Sequence, residues 1–174
     1  MILNHLKVLI IFMMSSLALC QNVSYFEDNV MEIDGKLIKF LGGSMWLADY
    51  DLYQLAFNDG IIVFDELAPK IVKKEDLRIE SENRRGVFYY EGEKVGVRYL
   101  DGFYFRTNAI LTTVIESYGE GAVLKTSDGS YWKVPEYDQY DTGWWLPPYD
   151  ALIQNELYLI NLKKGKKVWV SRTD

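Results

Sequence analysis

The sequence predicts an all-β protein, and three observations carry that prediction. Short apolar runs are broken again and again by Gly-containing turns. Strand-forming residues are abundant, with aromatics alone making up 15% of the chain. One stretch also occurs twice: 36–46 reads KLIKFLGGSMW and 122–132 reads AVLKTSDGSYW. The two align without a gap, Lys39 on Lys125, Gly43 on Gly129, Ser44 on Ser130 and Trp46 on Trp132. Each is an apolar run that reaches a Gly turn and restarts at Ser-x-Trp, the pattern of a tight hairpin.

Residues 1–20 read as a secretory signal peptide. His5 and Lys7 give a weakly basic start, 8–14 is uninterruptedly apolar, and Ala18 and Cys20 are small residues at the positions a signal peptidase reads. The apolar run is shorter than the roughly 20 residues a spanning helix needs. Cleavage after Cys20 is the preferred reading. The competing one is a lipoprotein anchored at Cys20, against which Leu19 stands in the position usually held by a smaller residue. The expected location is secreted or periplasmic, with no transmembrane segment in the mature chain.

Loss of the leader narrows the available chemistry. Cys20 and His5 are the chain's only Cys and His. After cleavage beyond Cys20 there is no thiol nucleophile, no Ser-His-Asp triad and no His- or Cys-bound zinc. Carboxylates, Tyr, Lys and Ser remain. The formal charge of −6 becomes −7 once Lys7 is set aside. Such an acidic protein is not expected to bind nucleic acid.

Taken in order, the elements fall into two modules, 21–104 and 105–174. In the first, 30–33 turns at Asp34-Gly35 into 36–41, and Gly42-Gly43 turns that into 44–48. A polar-aromatic segment, Asp49-Tyr50-Asp51-Leu52-Tyr53, follows as a loop or single helical turn. Ile61-Ile62-Val63-Phe64 reads as a strand buried on both faces. The charged stretch 68–85 has no clear period and is left as loop or helix. Runs 87–90 and 94–99 flank Glu91-Gly92-Glu93 as a hairpin.

The connection 101–109 is rich in strand formers rather than Ser or Pro, which predicts that the modules pack on each other. The second module repeats the order. Strand 110–117 turns at 118–121 into 122–126, and Asp128-Gly129 turns that into 130–134. Glu136-Tyr137-Asp138-Gln139-Tyr140 mirrors the first Tyr-Asp-x-Tyr. A final hairpin joins 157–162 to 166–170. Setting Gly165 on Gly92 puts Val168 on Val95 and Val170 on Val97. Many short strands with Gly turns favour small closed barrels, which leave no exposed edges.

Gly-Ser-x-Trp-x-Val, an acidic-aromatic loop, Trp-x-Pro and a closing hairpin together resemble small secreted bacterial proteins with SH3-like barrel modules. The likeness covers 122–170 and, more loosely, 36–97. It implies a barrel architecture and a role in binding peptides or cell-wall components. It assigns no site residues, and the first half lacks the Trp-x-Pro element.

Several residues stand out. Lys133 marks the wet side of its strand, so Trp132 is expected to face the core, and the repeat places Trp46 there too. Trp144-Trp145-Leu146-Pro147-Pro148-Tyr149 is kept out of a central strand by its prolines. In an extended segment Trp144 and Trp145 cannot both face inward. One is expected to pack, and the other to form an aromatic shelf with Tyr140 or Tyr149. Such a shelf can stack on a sugar ring, hold a Pro-rich peptide, or cover the first module or a dimer partner. Lys163, Lys164, Lys166 and Lys167 flank Gly165 as a basic knob, either a contact for polyanions and anionic lipid or a solvated turn that blocks edge pairing. Glu136, Asp138 and Asp141 lack the spacing of a calcium loop, and no metal or cofactor is expected. The predicted function is a noncatalytic binding or assembly module for a cell-wall glycan, peptide or protein. The alternatives are a carboxylate-dependent glycan-acting enzyme and an acidic inhibitor of a basic enzyme.

Overall fold

The structure, a computed structural model, describes residues 20–68 and 84–173. The expected leader, apart from Cys20, and most of the undecided stretch 68–85 lie outside those residues. What is described is nearly all β. Six strands come first: β1 (Gln21–Asp34), β2 (Leu37–Phe40), β3 (Met45–Ala48), β4 (Asp59–Phe64), β5 (Arg85–Tyr90) and β6 (Glu93–Asp101). They pair antiparallel in the order β1-β2-β3-β6-β5-β4, and β4 returns to β1. The result is a closed six-stranded antiparallel barrel, compatible with the SH3-like resemblance.

The C-terminal half adds β7 (Thr107–Tyr118), β8 (Val123–Thr126), β9 (Tyr131–Lys133), a 3-10 turn (Glu136–Asp138), a helical turn α1 (Gln139–Thr142), β10 (Tyr149–Gln154), β11 (Tyr158–Asn161), β12 (Lys166–Trp169) and β13 (Ser171–Thr173). Here β7 pairs with β8, β8 with β9, and β9 with β13. On its other side β7 pairs with β10, β10 with β11 and β11 with β12. Only Val170 separates β12 from β13, and its N–H donates to the Leu157 carbonyl at 2.8 Å.

Registers agree between the halves. Ile38 pairs with Trp46 as Leu124 pairs with Trp132, and Lys39 with Met45 as Lys125 with Tyr131. The β1–β2 ladder slips between Val30 and Glu32, and the β7–β8 ladder slips between Val114 and Glu116. Each bulge sits beside the same ion pair, Lys39 to Glu32 at 2.7 Å and Lys125 to Glu116 at 3.0 Å. Arg98 pairs with Leu47 and Tyr99 with Trp46, as Ser171 pairs with Lys133 and Arg172 with Trp132.

Strand alternation sends apolar residues to three cores. Ile62 and Phe64 of β4 fill the N-terminal barrel. Ala151 and Ile153 of β10 with Leu159 of β11 fill the C-terminal half. Their neighbours Ile61, Val63, Leu152 and Ile160 meet Val23, Tyr25, Tyr89, Ala109 and Leu162 in a seam between the halves. This is why 61–64 is apolar throughout. Burying each such side chain stabilises by about 1.5–3 kcal/mol over leaving it in water. The seam is continuous with the sheet, because Ser24 and Tyr25 of β1 pair with β4 on one side and β7 on the other. Arg106 secures the connection, with Nη1 3.2 Å from Glu66 Oε1 and 3.3 Å from Ser24 Oγ.

Three expectations change. The strand foreseen at 30–33 is only the end of β1, which starts at Gln21. Strand β10 was not foreseen, because the Pro pair and Asp150 mask its apolar core Ala151-Leu152-Ile153. The two Tyr-Asp-x-Tyr segments also differ, since 137–140 is helical whereas 50–53 is irregular.

Candidate binding surface

Two features of the C-terminal half build a rigid shelf. The first is the turn 119–122 between β7 and β8, where Gly121 has φ +91. A Cβ on Gly121 would lie 2.5 Å from Thr142 and from the Gly143 nitrogen, and one on Gly143 would lie 2.9 Å from the Glu120 carbonyl oxygen. Only glycines let these two turns touch. The second is α1 itself. The Thr142 hydroxyl donates to the Gly121 carbonyl at 2.9 Å, and the Gln139 amide donates to the Val134 carbonyl at 3.0 Å. Asp138 Oδ2 accepts the Trp169 N–H at 2.9 Å, fixing the 3-10 turn to β12.

On this support Tyr140 and Trp144, four residues apart around a helical turn, share a face. The Trp144 N–H donates to Asp141 at 3.2 Å and the Trp145 N–H to Thr142 at 3.0 Å. Trp145 is 4% exposed, its ring edge-on to Tyr149 at 5.9 Å, while Trp144 is 73% exposed. The division between them comes from the end of a helical turn, not from the extended segment expected. Tyr140 is 79% exposed, and the groove of about 400 Å³ beside it is lined by Glu120, Gln139, Tyr140, Gly143 and Trp144. Tyr149, expected on the shelf, is instead 5% exposed at the start of β10. Burial pushes its phenol pKa up.

Trp46 and Trp132 both lie in the cores, the first completely buried. Their indole N–H groups donate to Ser44 Oγ at 3.2 Å and to Thr126 Oγ1 at 3.1 Å.

The four lysines do not form one knob. Lys166 and Lys167, successive on β12, point to opposite faces. Lys167 reaches Glu27 of β1 at 2.8 Å, and Gly165 approaches the Asp59 carbonyl so closely that a Cβ would lie 3.3 Å from it. The hairpin tip therefore docks on the N-terminal barrel. Lys163 faces a cleft of about 490 Å³ between the halves, also lined by Tyr89, Lys94, Pro148 and Asp150. Lys94 holds Asp150 at 3.3 Å. Hydrogen bonding to the Tyr89 hydroxyl, ahead of the Asp150 charge, raises the Lys94 pKa.

Among the described residues, Glu116 and Asp128 have displaced carboxylate pKa values, and both go down. Glu116 is lowered by hydrogen bonds from Tyr118 and Lys125. At Asp128 burial pushes upward, but hydrogen bonds from Thr126 and Ser130 outweigh it. A general acid at neutral pH needs the opposite shift. Among the described residues no group of three or more His, Cys, Asp or Glu is placed to hold a metal ion, and no helix is long and apolar enough to cross a membrane.

The sequence reading missed Glu120 and Gln139, which are ordinary polar residues until the turns bring them beside the aromatics. It also missed Leu55 and Phe57, and took Tyr53 only as part of the Tyr-Asp-x-Tyr segment; Tyr53, Leu55 and Phe57 are 87%, 85% and 80% exposed in the loop between β3 and β4. That loop holds the same place between strands as the one bearing Tyr140 and Trp144. The period-two spacing of Tyr53, Leu55 and Phe57 is visible in the sequence, but there it reads as a buried strand. Comparison with protein-family models, with curated proteins and with solved structures finds no match to this chain.

Proposed function

We propose that the protein is a secreted or periplasmic, noncatalytic glycan-binding module, in which a duplicated barrel presents the Tyr140–Trp144 shelf to a cell-wall sugar chain. The shared registers, bulges and ion pairs of the two halves support the duplication.

One observation carries the glycan reading: two exposed aromatics on one face of a braced turn, beside a carboxylate and a primary amide. A pyranose has apolar C–H faces that pack on aromatic rings and equatorial hydroxyls that need such acceptors and donors. Titrating soluble peptidoglycan fragments against intrinsic Trp fluorescence tests the reading. Saturable quenching that weakens at least tenfold in Trp144→Ala and in Tyr140→Ala is expected. No heat and no fluorescence change with the folded wild type would end it.

A further inference from the structure

The exposed stripe Tyr53–Leu55–Phe57 lies on the N-terminal barrel and owes nothing to the glycan shelf. Exposure alternates along it: Leu52 is buried, Gln54 and Ala56 are half-buried, and the three large side chains between and beyond them stand in solvent. This is the alternation of an extended chain, although the segment lies outside the strands, irregular over 51–55 and bent at 56–58. The segment is held in place from below. The buried Tyr90 hydroxyl donates to the Leu55 carbonyl at 2.5 Å and accepts the Asn58 N–H at 3.4 Å. The Phe57 N–H donates to the Val30 carbonyl at 2.7 Å.

Phe57 has φ +85, a left-handed backbone that is an outlier for a bulky residue. Burial of the ring does not compensate that strain, since the ring points outward. Among the described residues the backbone N–H groups of Gln54 and Ala56 meet no acceptor. Where the backbone is extended, neighbouring N–H groups alternate in direction, so these two point away from the side on which Leu55 is tethered. The segment therefore offers an unpaired edge together with a row of apolar side chains.

Its own charge is acidic: residues 49–60 contain Asp49, Asp51 and Asp59 and no Lys or Arg, while the Lys-flanked Gly165 turn comes up only against the far end, at Asp59. Glu91 joins them, fixed by the Asn58 side chain at 2.6 Å. The nearby Lys36 ammonium contacts the Asp49 carbonyl at 3.1 Å, at one end of the segment.

We propose that 53–57 is a docking edge for an extended basic polypeptide segment. The partner strand pairs with the Gln54 and Ala56 backbone, lays alternate apolar residues on Tyr53, Leu55 and Phe57, and turns Lys or Arg toward the surrounding carboxylates. The protein would then be an adaptor, with polypeptide held on one half and glycan on the other.

Acetylated octapeptides of alternating Val and Lys, of alternating Val and Glu, and of Val and Lys with alternate backbone nitrogens methylated test this by fluorescence anisotropy on the full chain. The expected result is saturable binding of the unmethylated Lys peptide alone, weakened at least tenfold by Leu55→Ser at unchanged melting temperature. Methylation gives the same answer without altering the protein, should Leu55→Ser not fold. No binding of the Lys peptide, equal binding of the Glu peptide, or binding insensitive to methylation or to Leu55→Ser overturns the proposal. Concentration-dependent dimerisation that Leu55→Ser abolishes would assign the stripe to a second copy of the chain, and would overturn it equally.

Discussion

The two halves share strand pairings, yet they are filled differently. In the N-terminal barrel Trp46 sits among rings, with Phe26 at 6.5 Å, Phe64 at 5.8 Å, Tyr99 at 5.4 Å and Tyr104 at 4.9 Å. The C-terminal core around Trp132 is mostly aliphatic, built from Val114, Leu124, Val134, Ile153, Leu159 and Val168. Tyr104, from the connection between the halves, packs into the first core, whereas Trp145 and Tyr149 enter the second from beyond α1. The contrast separates two determinants. Register follows the turns and bulges, which the halves share. Filling follows whatever the loops supply, and cores accept different side chains provided volume and pattern are kept.

The largest effect expected is at the tryptophans. Trp46→Ala and Trp132→Ala should each lose about 3–5 kcal/mol in urea melts. Trp46→Ala should be the larger, because four rings lose a neighbour. Equal losses would mean that the aromatic cluster adds nothing beyond burial. Next is the seam. Leu152→Ala should cost about 2–5 kcal/mol and split one unfolding transition into two, if Leu152 couples halves that are each closed. A single coincident transition by fluorescence and circular dichroism would make the halves one cooperative unit.

The smallest effect is at the β8–β9 turn, where Asp128 organises the chain through Thr126 and Ser130. The equivalent turn in the first half is organised from outside, by Asp28 Oδ2 accepting the Gly42 N–H at 2.7 Å. The Asp128 pKa is held below its ordinary 3.8 in the folded state. Its contribution is therefore present above that value and lost as pH falls through the folded pKa. Hydrogen-exchange protection at this turn, relative to the intrinsic rate at each pH, should fall below about pH 4. Asp128→Asn should remove that acid dependence.

Legibility in the sequence tracked local chemistry. Gly43 and Gly129, with φ +92 and +87, demanded turns that few other residues make, so the central hairpin was readable to the residue. Strand β10 was hidden because its apolar core is short and follows two prolines, a pattern that locally reads as loop. The shelf was half legible. Pairing Trp144 with Trp145 forces a division between inside and outside, but a helical turn, not an extended one, chose which goes where. Tyr149 looked like a shelf member because sequence shows composition and not the direction of a strand. Tyr53, Leu55 and Phe57 look like core residues in sequence. Nothing local tells an alternating segment that lies over no core from a strand that has one.

Strand β1 lies between two partners that are made much later in the chain. Ser24 waits for Phe64 on one side and for Asn108 on the other. The hairpins β2–β3, β5–β6, β8–β9 and β10–β11 can close as soon as their own turns form, whereas these pairings close long loops at an entropic cost. Insertion of the first residues of β1 between β4 and β7 is then a late event in folding. Until it happens, Val23 and Tyr25 are missing from the seam, and two strand edges are open to pairing with other chains. Aggregation during refolding should depend more steeply on protein concentration than native stability would suggest, and should worsen with any change that delays β1.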